Sequence, residues 1–144
     1  MSALVEITPG VLVTTSQLFL TTTTVLACRG GCVVVDPAAT AAELGDLAAG
    51  LHQRGMTVSL GVATHAHWDH LLWCRPLGAA PRYGSERAVS QARRERSSLV
   101  AEMEPWAPGH DLELFGEVLA LRRGETALPS PAGSIAVLEH DGHA

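Results

Sequence analysis

Three imidazoles and one carboxylate fall within six positions, at His65, His67, Asp69 and His70. Neutral imidazole and carboxylate are good ligands for zinc and related divalent ions. On an extended loop, side chains two apart point to the same side, so His65 and His67 can grip one ion together. Asp69 and His70 follow where the chain is expected to turn into a helix. They point elsewhere and can address a second ion close by. Two adjacent ions can share a water, make it a hydroxide near neutral pH, and polarise a carbonyl or phosphoryl oxygen. Asp69, beside such a water, is the candidate catalytic residue for moving its proton. A lone histidine would read as ordinary surface; this tight pattern points to metal.

The elements around the motif explain how it would be held. Val11–Thr15, Leu18–Cys28 and Cys32–Asp36 are rich in Val, Thr and Leu and read as strands, with Gly30-Gly31 as a hairpin turn. Pro37 ends the third, having no amide hydrogen for the ladder. Thr40 and Glu43 have capping-box spacing, and Leu44, Leu47, Ala48 and Leu51 share one helical face before Gly55 closes it. Val58–Ala63 is an apolar run suited to a buried strand. Strand, helix and strand in this order make a βαβ unit, and the motif follows directly, at a strand's carboxyl end where α/β sites usually lie. Arg82-Tyr83 reads as a short strand. Ser85 caps a second helix, with Val89, Ala92, Leu99 and Met103 inward and Arg93, Arg94 and Arg96 on its solvated face. Trp106–Asp111 reads as a loop and Arg122–Gly133 as turns, with Val118–Leu121 and Ser134–Glu139 as strands.

Composition sets the bounds. The chain has 144 residues, 47% of them hydrophobic, which suits a single domain over 1–144 with a real core. A net charge of −5 with scattered arginines gives no nucleic-acid footprint. No apolar run approaches the ~20 residues of a membrane span, and no basic-then-apolar leader is visible. Three cysteines argue against a disulfide framework and for a reducing cytoplasm. Cys28 and Cys32 lack a matching second pair for zinc and read as small strand residues.

The pattern H-x-H-x-D-H after a buried strand resembles the signature of the metallo-β-lactamase superfamily. Val33-Val34-Val35-Asp36-Pro37 resembles that family too, where an apolar strand ends in Asp before a turn and a helix. The resemblance implies an α/β fold, a four-layer αββα sandwich, of which this chain spans the N-terminal half to two-thirds. It implies that His65 and His67 bind a first metal with a later histidine, and that Asp69 and His70 bind a second. Gly142-His143 fits the third ligand best, ahead of His140 and His110; His52 reads as surface. Asp36 would support the loop. Ala144 follows at once, so the family's bridging Asp and last His have no counterpart here, and the sandwich is expected to be incomplete at the C-terminus. Such a half-fold leaves an apolar sheet face that a second copy or a partner chain would cover. Trp68 and Trp73 are expected to pack, and Cys74 to lie in the core on a helix after His70.

The implied activity is a zinc-dependent hydrolase that uses a metal-activated hydroxide on an ester, thioester, lactone or similar small-molecule bond. It would hold one or two zinc ions, with iron or manganese as substitutes. Two alternatives stand beside it: a non-catalytic metal-binding fragment or subunit, and an enzyme of the persulfide-dioxygenase type with a single iron.

Overall fold

An antiparallel meander opens the chain: β1 (Val5–Thr8), β2 (Val11–Thr15), β3 (Thr22–Cys28) and β4 (Gly31–Val35). The computed structural model describes residues 3–122, 124–130 and 133–140. After β4 the chain crosses through α1 (Ala41–Gln53) and returns as β5 (Val58–Val62), parallel to β4. Two more parallel strands complete the sheet, β6 (Arg82–Gly84) and β7 (Leu119–Ala120), with α2 (Glu86–Met103) between them. The seven strands lie in sequence order, β1 to β7. A hairpin of β8 (Ala127–Ser130) and β9 (Gly133–Ala136) forms a second, two-stranded sheet.

Alternating side chains give the large sheet two apolar faces. Leu12, Val25, Cys32 and Val34 pack with Leu44, Leu47 and Leu51 of α1 and with Val89, Leu99 and Met103 of α2 in one core. Val33, Leu60 and Leu121 face the other way and meet Leu128 of the hairpin, with Ile135 and Val137 against them. The described residues thus form three layers: helices, a mixed sheet and a hairpin. The expected sandwich of four layers is present as its first three, and the hairpin covers part of the face expected to be bare.

The helix ends follow the sequence closely. Thr40 Oγ1 accepts from the Glu43 amide, and the Glu43 carboxylate accepts from the Thr40 amide, closing the capping box. At the other end Gly55 sits at φ +67°, its amide bonding to His52 O while that of Met56 bonds to Leu51 O. Glycine enters this left-handed position without a Cβ penalty. Ser85 Oγ caps α2 by accepting from the Ala88 amide.

Several expectations need correction. The strand expected from Leu18 begins at Thr22, because Phe19 and Leu20 turn through positive φ. The β3–β4 turn consists of Arg29 and Gly30, since Gly31 already pairs with Cys28. No helix follows His70; two single 3-10 turns, Trp68–His70 and Arg75–Leu77, take its place, and Pro76 lies in the second. Trp73 and Trp68 are nonetheless buried, as expected, while Cys74 is half-buried and packs against the core from outside any helix. Arg96 is not simply solvated: it donates to Leu112 O and lies over the Phe115 ring, pinning the loop after α2. The strands expected at 118–121 and 134–139 shrink to β7 and β9, and β8 occupies a stretch read as turns. The cysteines at 28, 32 and 74 are all free thiols.

Gly61 in β5 is fixed by close approach. A Cβ there would come within 2.8 Å of both the Trp73 ring and the Arg82 side chain. Gly61→Ala is therefore expected to destabilise the fold by about 2 kcal/mol through overpacking. Urea denaturation of the two proteins checks this, and an unchanged midpoint would contradict it.

Candidate metal centre

The parallel strands β4 and β5 end side by side, and each contributes to one cluster. Asp36 follows β4 and Thr64–His70 follows β5. Asp36 adopts φ +49°, a left-handed conformation that costs an L-residue about 1–2 kcal/mol. Thr23 braces it: its hydroxyl donates to Asp36 O and accepts from the Ala38 amide, both at 2.8 Å. This bend swings the Asp36 carboxylate across to the next strand end. There Oδ1 accepts from the Thr64 amide at 2.8 Å and Oδ2 from the Thr64 hydroxyl at 2.6 Å. Asp36 thus supports the loop, as expected.

The four motif side chains converge. His65 Nε2 faces His67 Nδ1 at 3.1 Å, and the two rings meet edge-on with centroids 4.6 Å apart. His70 Nε2 lies 3.4 Å from Asp69 Oδ2. The His65 and His70 rings, with centroids 3.9 Å apart, join the two pairs. Two tetrahedral ligands ~2.0–2.1 Å from one zinc stand roughly 3.3 Å apart. Each pair therefore has the spacing of two donors on one ion. The fit is pairwise only. Among the described residues, no three His, Cys, Asp or Glu side chains are placed so as to hold one ion.

The other candidates divide by position. His143 lies outside the described residues. His140 is exposed and lines the same cleft as His65 and His67. His110 is directed elsewhere, its Nε2 3.2 Å from Ala39 O, and His52 is exposed on α1. Thr64 is the participant that a search for ligand types passes over. Its position between an apolar strand and the first histidine was the available signal.

Electrostatics bind the second pair tightly. Burial by itself would lower the His70 pKa, but the Asp36 and Asp69 carboxylates outweigh it and raise it from 6.5 to about 9. His70 Nδ1 is 3.0 Å from Asp36 Oδ2, close enough for an ion pair although not aligned as a hydrogen bond. Burial likewise pushes Asp69 up, and its contact with His70 outweighs this and lowers it. Without metal, His70 is an imidazolium between two carboxylates, and an ion taking Nε2 must displace that proton.

The cluster opens on a cleft of about 1130 Å³. Val33, Val35 and Leu128 line its apolar side, and Ser85, the cap of α2, and Gln91 within that helix part of its polar side. Away from the cleft, burial pushes the Cys32 thiol of β4 up to about 11, and the neighbouring Cys28 adds to the rise.

No protein-family model matches the sequence, and no curated protein matches it significantly. Solved structures do. A beta-lactamase domain protein from Burkholderia ambifaria superposes with a TM-score of 0.63 at 17% identity, covering 93% of this chain and 47% of that one. A metallo-beta-lactamase from Pontibacter korlensis gives 0.54 at 16% identity, over 67% of this chain and 49% of that one. The metallo-beta-lactamase FIM-1 from Pseudomonas aeruginosa, in a mono-zinc form, gives 0.53 at 15%, over 65% and 46%. The chain thus spans about half the length of these structures, and what they share with it is architecture. The mixed seven-stranded sheet and its flanking helices are accordingly those of the metallo-β-lactamase fold, over about half of that fold's length.

Proposed function

We propose that this chain carries the metal-binding part of a metallo-hydrolase that acts on an ester, thioester, lactone or similar bond of a small molecule. The observation that supports it most is the presence of two donor pairs, each at ligand spacing, in the loop that follows β5. His65 Nε2 and His67 Nδ1 would hold one divalent ion, with His143 or His140 as third ligand. Asp69 and His70 would hold another. A bound ion supplies Lewis acidity and brings the pKa of a coordinated water toward neutrality. The ionised Asp69 carboxylate, beside such a water, would take its proton and return it to a leaving group. Val33, Val35 and Leu128 give the cleft beside the cluster an apolar side.

Zinc in the mono-zinc FIM-1 structure supports that choice of metal. Three free thiols accord with a reducing cytoplasm. No helix among the described residues is long and apolar enough to cross a membrane.

A second reading, a non-catalytic metal-binding subunit, is favoured by the pairwise fit: among the described residues each ion would have two donors. Zinc titration with metal analysis, followed by assays on a thioester and a lactone, separates the readings. Tightly bound zinc with turnover supports the hydrolase. Zinc without turnover supports the subunit, iron at full occupancy points to redox chemistry, and no metal binding overturns all three.

A further inference from the structure

Thr64 makes two contacts that a packing residue would not need. Its Oγ1 is 2.6 Å from Asp36 Oδ2 and 3.0 Å from His65 Nδ1. A threonine hydroxyl has one hydrogen to donate. An ionised carboxylate can only accept, so that hydrogen goes to Asp36. Oγ1 can then meet His65 only as an acceptor, which requires the ring proton to sit on Nδ1. His65 Nε2 is left with its lone pair, and Nε2 is the atom that faces His67 Nδ1. The carboxylate itself is held in place by the Thr64 amide at 2.8 Å.

We infer that Thr64 is a positioning residue that relays the Asp36 charge to His65 and fixes its Nδ1–H tautomer, aiming an unprotonated Nε2 at the metal position. Neutral histidine exists in two tautomers, and only one leaves Nε2 able to ligate. A partner on the far ring nitrogen selects the tautomer, holds the ring plane and raises the basicity of the ligating nitrogen. Here the selecting group is a hydroxyl, and its polarity as an acceptor is set one step further back.

This inference deepens the proposed function and rests on His65 being a ligand there, yet its central statement concerns a proton in the metal-free protein. The test is nitrogen-15 NMR of the histidine rings in the metal-free full chain, for wild type, Thr64→Val and Thr64→Ser. Valine keeps the shape and removes the hydroxyl; serine restores it. Wild type and Thr64→Ser are expected to show His65 as the Nδ1–H tautomer, and Thr64→Val to lose that preference. Zinc affinity should fall ~10- to 100-fold in Thr64→Val and recover in Thr64→Ser. A wild-type His65 protonated at Nε2, or a Thr64→Val protein that keeps the Nδ1–H form, would overturn the inference. If the tautomers behave as stated and neither protein binds zinc, the metal reading fails while the relay stands.

Discussion

His67→Ala is expected to weaken zinc binding by roughly 100-fold or more, whereas His52→Ala leaves it unchanged. Substituting a group that only orients a ligand already costs ~10- to 100-fold, and His67 would supply a coordinating nitrogen. Its Nδ1 stands 3.1 Å from His65 Nε2, so one deletion dissolves the first donor pair. His52 is exposed on α1 and serves as the control for imidazole content alone. Competition against a chromophoric chelator at fixed pH measures both. Equal losses in the two variants would refute the assignment.

Glu43→Ala should destabilise the metal-free fold by about 3 kcal/mol, the largest effect expected from a residue outside the cluster. Glu43 is buried, with 5% of its surface exposed. Its carboxylate accepts from Ser16 Oγ at 2.7 Å, the Gln17 amide at 2.8 Å and the Thr40 amide at 3.2 Å. Hydrogen bonds to a charged group contribute about 1.5–3 kcal/mol each, and the truncation strands several donors at once. Burial alone would raise the Glu43 pKa, but those donors outweigh it and hold it below 4.5. The stabilisation is therefore complete above the unfolded-state pKa and disappears as pH falls through the lower folded-state value. Urea denaturation should show the gap between wild type and Glu43→Ala at pH 7 and a narrower gap in acid. A gap that widens in acid would contradict this account.

The legible parts of the fold were those with local rules. Thr40, Glu43 and the Leu44–Leu47–Leu51 face announce α1, because a capping box and a 3.6-residue period need no tertiary knowledge. The crossover from β4 to β5 follows from the same local signals. β8 was hidden because its pairing partner, β9, decides it, while Pro129 argued against a strand. The stretch after His70 looked helical by its Leu-Leu-Trp run, but burial of Trp73 against Gly61 won over local periodicity. In the cluster, ligand types and spacing were readable from His65 to His70. The Asp36–Thr64 bond was not, since it spans 28 positions and depends on two strands ending together.

That span has a thermodynamic consequence. A short peptide from the histidine stretch would own the donors yet lack their aim, because the carboxylate that orders them arrives only once the crossover has closed. Any cation that selects this loop shape must then favour the closed crossover by the same free energy, so loading the cluster should act as a clasp on the paired ends of β4 and β5.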